Sequence, residues 1–160
     1  MITVYIDQQK LIWSSKDHIQ KEYCISSALN GVGQEEGSNR TPLGLHRVCA
    51  KIGEGLPKYA VFRGRRWTGE IYTDELALDN PKRDWILSRI LWLQGLELGF
   101  NRGGQCDSKR RYIYIHGTNE EHLLGQPYSH GCIRMNNDDM LELFAVVQPG
   151  EQVQIIERGK

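Results

Sequence analysis

Two stretches of this sequence decide its fold: YIYIHGT at residues 112–118 and SHGCIRM at residues 129–135. The first stretch alternates aromatic and aliphatic residues, which predicts a β-strand that leads into His116. Cys132 follows His116 by sixteen positions, and this connection is long enough to fold back to the strand end. We therefore expect a sheet that fixes His116 and a loop that brings Cys132 beside it.

Strand patterns also dominate the first half of the chain. Apolar residues alternate with other types in Ile2–Ile6 and recur at Leu11 and Trp13, which predicts a β-hairpin. The chain from residue 30 to 44 is rich in Gly, Asn, Glu and Ser, which predicts a loop. Further strands are predicted at residues 19–27, 45–52, 59–62 and 153–155.

Two helices are predicted late in the chain. Apolar residues between Ile86 and Leu98 recur at helical spacing, with Asp79 or Asn80 as the cap and Gly99 as the stop. A second helix is predicted to start at Asn136 or Asn137. These elements indicate a mainly β fold with two helices, in a single domain over residues 1–160, and not a doubly wound α/β fold.

The composition excludes several classes of function. Twenty Lys and Arg residues balance twenty Asp and Glu residues, so we expect binding neither to nucleic acid nor to an anionic membrane. The local basic clusters at residues 63–66 and 109–111 are interpreted as solvated rims or loops. No apolar run approaches the roughly 20 residues of a membrane span, and no signal-peptide pattern opens the chain. A cytoplasmic location is expected, or a periplasmic or cell-wall location if an export signal has been trimmed.

The four cysteines are scattered along the chain and form no C-x-x-C pair, which favours free thiols over disulfides. Cys24 and Cys49 lie in apolar stretches and are predicted to be buried fillers. Cys106 lies in a Gly-rich loop and receives no role.

The chemistry of the second stretch points to nucleophilic catalysis. A cysteine attacks as its thiolate, and a nearby imidazole can take the proton, which makes Cys132 and His116 a candidate pair. Gly131 permits close approach to a substrate, and the N–H groups of Gly131 and Cys132 could stabilise an oxyanion. Arg134 would lie on the same side of an extended chain as Cys132 and could hold a substrate carboxylate.

Two other interpretations remain open from the residues alone. A histidine at a strand end is often a structural residue with no chemical role. A zinc site is also conceivable, although the spacings match no usual zinc pattern. Its ligands would come from His116, His122, His130, Cys106 and Cys132. We expect neither a metal nor another cofactor.

The two stretches resemble the signature of the YkuD family of L,D-transpeptidases, which pairs a His-Gly strand end with a Ser/Thr-His-Gly-Cys segment. The resemblance extends to the Thr-Pro-Leu-Gly element at residues 41–44, to the helix after Asp138 and to the closing strand from Gly150. It covers essentially the whole chain. It implies a β-sandwich of mixed sheets that acts on peptidoglycan stem peptides.

The resemblance also implies roles for individual residues. Cys132 would attack the carbonyl of the third residue of a tetrapeptide stem, release terminal D-alanine, form a thioester and be acylated by carbapenems. His116 would be the base, oriented by the carbonyl of Gly117. The segment between Gly64 and Arg111 would supply a lid, with Trp67, Tyr72 or Trp85 lining the groove. Binding of the substrate or the oxyanion would fall to Tyr128, Ser129, His130, Gly131 and Arg134.

The sequence does not decide how the thioester is resolved. Water would give an L,D-carboxypeptidase, and an amine would give a cross-link or D-amino-acid exchange. Because no export signal is seen, we expect an L,D-carboxypeptidase that acts on soluble muropeptides or nucleotide-linked precursors during peptidoglycan recycling. The alternative is a cell-wall transpeptidase.

Overall fold

The computed structural model describes residues 1–158, so the last two residues of the predicted domain lie outside it. The described chain is mainly β and contains two α-helices and a short 3-10 turn at Glu121–Leu123. The helices are α1 (Asp74–Asp79) and α2 (Asn137–Val146). The strands are β1 (Ile2–Tyr5), β2 (Lys10–Ser14), β3 (Gln20–Ser26), β4 (Gly44–Ile52), β5 (Ala60–Arg63), β6 (Arg66–Ile71), β7 (Ile86–Gly95), β8 (Tyr114–Gly117), β9 (Ile133–Met135) and β10 (Gln152–Ile156).

The strands form one mixed sheet that closes on itself. Their order is β4-β10-β1-β2-β3-β9-β8-β7-β5-β6, and β4 also pairs with β7. That extra pairing joins the two ends of the β4-to-β7 series into a barrel-like β-sandwich, while β5 and β6 extend from β7 as a hairpin. Two neighbouring pairs are parallel, β1 with β10 and β8 with β9.

Most of the predicted elements are confirmed. The opening hairpin pairs β1 with β2, the strand predicted at residues 19–27 is β3, and the loop predicted at residues 30–44 runs up to the first residue of β4. The second helix is α2, and the side chain of Asn136 caps it by accepting from the amides of Asp138 and Asp139.

The prediction of a long helix up to Leu98 is wrong, because Ile86–Gly95 form strand β7. This strand is paired along both edges, and apolar side chains point to both of its faces. A β-bulge between Leu87 and Ile90, where Ser88 has φ of +70°, interrupts the two-residue alternation. A two-sided strand with a bulge therefore imitates helical spacing.

The first helix lies earlier than predicted. Helix α1 follows Thr73, whose side chain accepts from the amide of Leu76, and it ends at Asp79. Asp79 was expected to start a helix, and it instead closes one. No residue of α1 is buried.

The main core lies inside the closed sheet and beneath α2, which packs on β7 and β8. Its fully buried side chains include Ile2, Val4, Leu11, Ile25, Leu91, Leu93, Ile115, Ile133, Met135, Met140 and Leu143. Within residues 1–158, no helix has the length and hydropathy that a membrane span requires.

The cysteines only partly match their predictions. All four are free thiols, as predicted. Cys24 is exposed and Cys49 is half-buried, so neither is a buried filler. Cys24 sits on a strand whose apolar residues face the core on the other side, at Tyr23 and Ile25.

Candidate active site

The predicted nucleophile and base open into one cavity of about 510 Å³. It lies where the parallel strands β8 and β9 meet the β5–β6 hairpin. The cavity is lined by Gly64, Arg65, Asp84, Ile86, Tyr112, Tyr114, His116, Ser129, His130, Cys132 and Arg134. Five of the eight residues predicted for the site therefore lie on its wall.

The pairing of β8 with β9 brings the two decisive stretches together. Ile115 lies opposite Ile133, and His116 lies opposite Arg134. Cys132, directly before β9, consequently lies beside Tyr114, whose N–H donates to the Cys132 Sγ at 3.3 Å. The sheet register thus places the nucleophile.

The raised pKa of Cys132 keeps its sulfur protonated at neutral pH. The thiol donates to the carbonyl oxygen of Tyr112 at 3.3 Å. Burial raises the pKa of Cys132 to about 12, and the negative charge of Asp84 acts in the same direction. Attack by Cys132 therefore requires a base that removes the proton.

His116 has the protonation state of such a base. Its side chain is buried, and Nδ1 lies 2.7 Å from the carbonyl oxygen of Gly117. A carbonyl only accepts, so Nδ1 carries the proton and Nε2 holds a free electron pair. Burial lowers the pKa of His116, so the ring is neutral at pH 7.

The Nε2 of His116 is available for chemistry. It has no protein partner among residues 1–158, whereas no fully buried side-chain nitrogen or oxygen in the described chain lacks one. Nε2 must therefore reach the cavity that it shares with Cys132. The contact between Nδ1 and the carbonyl oxygen of Gly117 fixes the orientation of the ring.

Thr41 and Ser129 hold the loop that carries the cysteine. Ser129 Oγ donates to the carbonyl oxygen of Cys132 at 2.5 Å, and Thr41 Oγ1 donates to that of Gly131 at 2.9 Å. Thr41 is fully buried and also accepts from the amide of Ala28. The Thr-Pro-Leu-Gly element is thus a support for the nucleophile loop.

The oxyanion prediction changes in one detail. The N–H of Gly131 donates to Ser129 Oγ at 3.2 Å, so it is already engaged. The N–H of Cys132 has no partner among the described residues and remains available to an oxyanion. Gly131 has φ of +129°, and a side chain there would press on the carbonyl oxygen of Arg40 at 3.3 Å.

Arg134 lines the cavity as predicted, but it does not hold a free carboxylate site. Its side chain is 6% exposed and pairs with Asp84 and with Glu120, each at 3.2 Å. Both arms of the guanidinium are therefore occupied by protein carboxylates. Arg134 instead ties the segment before β7 to the crossover between β8 and β9.

The remaining predicted residues have different surroundings. His130 is 68% exposed at the rim, with Nδ1 at 3.8 Å from Asp84. Gly117 allows a close approach, since a Cβ there would lie 2.7 Å from the carbonyl oxygen of Leu87. Tyr128 does not line the cavity, and its amide donates to Ser26 Oγ.

The predicted aromatic lid is not present in this form. Trp67 donates from Nε1 to the carbonyl oxygen of Glu70 on the outer hairpin, and Trp85 is buried against Tyr72. None of the three lines the cavity. The residues between Gly64 and Arg111 that do line the cavity include Gly64, Arg65, Asp84 and Ile86.

The basic clusters are only partly solvated. Arg63, Arg66 and Arg110 are exposed, as predicted. Arg111 is half-buried and donates to the carbonyl oxygens of Gly33 and Arg40, which braces the loop behind the nucleophile. Arg65 is half-buried at the cavity wall.

Sequence reasoning missed Arg65, Asp84, Tyr112 and Tyr114. A signal existed for the two tyrosines, because residues two apart in a strand share a face and His116 follows Tyr114 at that spacing. Arg65 and Asp84 come from distant parts of the chain, and no local pattern marks them.

The zinc alternative finds no ligand set. Among residues 1–158, no three His, Cys, Asp or Glu side chains lie close enough to hold one metal ion. His122 lies in the 3-10 turn, and Cys106 contacts the carbonyl oxygen of Gly103.

Comparison with known proteins assigns this chain to a class of catalytic domains. The family profile of the YkuD L,D-transpeptidase catalytic domain matches residues 1–155. The chain belongs to this family, whose substrates are peptidoglycan peptides.

Curated relatives match over shorter segments. YqjB of Bacillus subtilis, provisionally named an L,D-transpeptidase, is 40% identical over 63 residues, which cover 39% of this chain and 34% of the relative. YkuD of Bacillus licheniformis, with the same provisional name, is 50% identical over 48 residues, which cover 30% and 28%. The aligned segments therefore span about a third or less of these relatives.

Solved structures share the fold over nearly the whole chain. L,D-transpeptidase 3 of Mycobacterium tuberculosis, in complex with a faropenem-derived adduct, has a TM-score of 0.60 at 16% identity. The match covers 98% of this chain and 59% of that one. An L,D-transpeptidase of Mycobacterium smegmatis has a TM-score of 0.55 at 18% identity, with coverage of 97% and 57%. At these identities the likeness establishes the fold.

Proposed function

We propose that this protein is a cysteine acyltransferase that cleaves the L,D-peptide bond of peptidoglycan tetrapeptide stems through a thioester on Cys132. The observation that carries the proposal is the state of His116, a neutral imidazole whose Nδ1 is tied to Gly117 and whose Nε2 faces the cavity of the thiol. Membership of the YkuD family supplies the substrate class.

In the first half-reaction, His116 Nε2 takes the proton of the Cys132 thiol while Sγ attacks the carbonyl carbon of the third stem residue. Because burial disfavours both the thiolate and the imidazolium, proton transfer is coupled to attack and does not precede it. The N–H of Cys132 donates to the oxyanion. The C–N bond then breaks, His116 returns its proton to the leaving amine of D-alanine, and the thioester remains.

In the second half-reaction, water attacks the thioester carbonyl and gives one proton to His116. The C–S bond breaks, and the His116 proton returns to sulfur. The products are a tripeptide and the free enzyme. We propose this L,D-carboxypeptidase outcome, for which the rim of the site, where His130 is 68% exposed, offers a route of entry to water.

The alternative acceptor is an amine, which would give a cross-link or an exchanged D-amino acid. The family description as transpeptidases favours this outcome. Both reactions share the first half, so an assay has to separate them at the second.

The test uses a disaccharide-tetrapeptide with and without a D-amino acid in excess, followed by mass spectrometry of the products. We expect tripeptide and D-alanine in equal amounts, with the tripeptide still dominant when the amine is present. Dominant exchanged tetrapeptide or dimer would replace the hydrolytic assignment with transpeptidation. Absence of any D-alanine release or exchange would refute the acyl-transfer proposal.

The proposed location of the reaction is the cytoplasm, on recycled muropeptides or nucleotide-linked precursors. Fractionation of the native host with an antibody against the natural protein tests this directly. We expect the protein with cytoplasmic markers. Recovery in an exported or wall-bound fraction would shift the substrate to polymerised peptidoglycan.

A further inference from the structure

A second cavity of about 370 Å³ adjoins the catalytic one. It is lined by Arg65, Trp92, Gln94, Asp107, Lys109, Arg110 and Tyr112. Arg65 and Tyr112 belong to the walls of both cavities, so they form the partition between them. The catalytic mechanism uses none of the other five residues.

The position of Arg65 in this partition is specific. Residues 64 and 65 form the two-residue turn between β5 and β6, with φ of +56° and +63°. Such turns favour glycine or asparagine, and an arginine with positive φ is uncommon. Its guanidinium stacks over the rings of Trp92 at 4.7 Å and Tyr112 at 4.8 Å.

Arg65 keeps hydrogen-bonding capacity in this stack. Nη1 donates to the Tyr114 hydroxyl at 3.1 Å, and no other guanidinium nitrogen of Arg65 has a partner among residues 1–158. A guanidinium carries five N–H donors, so several remain for a ligand. Stacking on the two rings fixes the orientation of the planar guanidinium, which suits recognition of a planar or multidentate anion.

The charge of the second cavity is positive. Arg65, Lys109 and Arg110 line it, and none of them makes an ion pair with another described residue. The one carboxylate on the wall, Asp107, is engaged by the amides of Gly103 and Arg110, which hold its pKa below the ordinary value despite burial. Asp107 is therefore ionised and attracts the charge of Arg110, but three cations against one carboxylate leave the cavity wall net positive.

The second cavity is close to the nucleophile. The carbonyl oxygen of Tyr112 accepts from Cys132 Sγ, and the ring of the same residue packs on Arg65. A substrate held at Cys132 thus needs to pass only Tyr112 to reach the cations.

We propose that this second cavity is an anion subsite, which binds a carboxylate or phosphate on the part of the substrate that precedes the third stem residue. The inference rests on the proposed function, because it assigns the cavity to the same substrate. A carboxylate would come from the stem peptide itself, and a phosphate would come from a nucleotide-linked precursor.

The test compares the double variant Lys109→Gln/Arg110→Gln with wild type and with Arg63→Gln/Arg66→Gln. The control removes the same charge from exposed residues of the neighbouring hairpin, outside both cavities. Steady-state kinetics use three substrates: a disaccharide-tetrapeptide, the same compound with the free carboxyl of its second residue amidated, and a nucleotide-linked tetrapeptide. Pyrophosphate binding is measured by calorimetry on all three proteins, because this readout needs no turnover.

We expect the double variant to raise KM about tenfold with kcat nearly unchanged, while the control stays at the wild-type value. If amidation of the substrate removes the difference, the occupant is the carboxylate. If the increase in KM appears only with the nucleotide-linked substrate, the group bound in the second cavity is the phosphate.

Equal KM values in all three proteins, with wild type active, would overturn the subsite and leave the proposed function standing. If wild type turns over no substrate, the proposed function fails, and calorimetry alone decides the subsite. Pyrophosphate binding lost in the double variant and kept in the control would then support it, and equal or absent binding would refute it.

Discussion

Two buried histidines of this protein have nearly the same surroundings but different roles. His46 on β4 and His116 on β8 are both buried, and in each the Nδ1 lies near a backbone carbonyl oxygen, Gly44 at 3.0 Å and Gly117 at 2.7 Å. Burial lowers the pKa of both, to about 4 for His46. Both rings are therefore neutral, with the proton on Nδ1.

The difference lies at the second nitrogen. Nε2 of His46 lies 2.8 Å from the hydroxyl of Ser108, which is itself fully buried. Nε2 of His116 has no partner in the described chain and opens into the cavity of Cys132. Burial and a fixed tautomer are thus shared by a structural and a candidate catalytic histidine, and an unoccupied Nε2 beside a thiol distinguishes the second.

The largest expected effect is at the nucleophile. Cys132→Ala removes the sulfur on which the thioester is proposed to form, so D-alanine release from a disaccharide-tetrapeptide should fall by about 10⁴-fold or more. Intact-protein mass spectrometry should show one imipenem adduct on wild type and none on the variant.

Cys106→Ala is the matched control for this change, because Cys106 is also a half-buried thiol that donates to a backbone carbonyl. It should keep wild-type turnover and the adduct. Turnover that survives in Cys132→Ala would remove the basis for treating His116 differently from His46.

The next effect is at the base. His116→Gln should lower kcat by about 10²–10⁴-fold, since general-base catalysis commonly contributes that much. His46→Gln, the same substitution at the other buried histidine, should leave kcat within a few-fold. Equal losses in the two variants would mean that folding, and not proton transfer, explains the effect.

The pH profile sharpens this prediction. The pKa of His116 lies below its ordinary value of 6.5. The ratio kcat/KM should therefore stay level through neutral pH and fall only when the pH drops below 6.5. No rise is expected near pH 8.5, because the pKa of Cys132 is about 12. A rising limb at pH 8–9 would indicate a free thiolate and contradict attack coupled to proton transfer.

The contrast between the histidines also shows how far the sequence could predict the site. His116, Gly117 and Cys132 were predictable because they lie in two contiguous motifs joined by one parallel strand pair. The role of Thr41 was not, although its motif was recognised, because the hydrogen bond to Gly131 spans 90 residues. The ion pairs of Arg134 were not predictable either, since its partners, Asp84 and Glu120, come from segments whose positions only the tertiary fold defines.

Strands with one exposed face were predicted well, such as β1–β3 and β10, where the two-residue alternation is clean. Strand β7 was mistaken for a helix because it is buried on both faces and carries a bulge at Ser88. The bulge also contributes to the site. Ser88 Oγ donates to Asn137 Oδ1 at 2.6 Å, and Asn137 Nδ2 donates to the carbonyl oxygen of Thr118 at 2.7 Å. This buried network supports the strand end that carries His116.

A smaller effect concerns stability at low pH. The pKa of His46 is about 4 in the folded protein and 6.5 when unfolded, so protonation favours the unfolded chain as the pH falls from 6.5 towards 4. This depressed pKa should remove about 3 kcal/mol of the free energy of unfolding between pH 7 and pH 4.

Urea unfolding of wild type and His46→Gln at pH 7, 5.5 and 4 measures this contribution. The loss on acidification should be about 3 kcal/mol smaller in the variant, because glutamine does not titrate. Equal losses of the free energy of unfolding in both proteins would mean that the pKa of His46 is the same in the folded and the unfolded chain, contrary to its burial.

The smallest effect is expected from Ser108→Ala, which gives His46 the free Nε2 that His116 has. Ser108 Oγ is the partner of His46 Nε2, and both side chains are fully buried, so the imidazole nitrogen would lose its hydrogen bond without access to solvent. An unsatisfied buried polar group costs about 1–3 kcal/mol, so urea unfolding at pH 7 should show a loss near the lower end of that range. Turnover of the disaccharide-tetrapeptide should be unchanged, because His46 does not line the cavity of Cys132. A stability equal to wild type would mean that an unpartnered Nε2 is tolerated in this core, and the free nitrogen of His116 would then no longer mark it as catalytic.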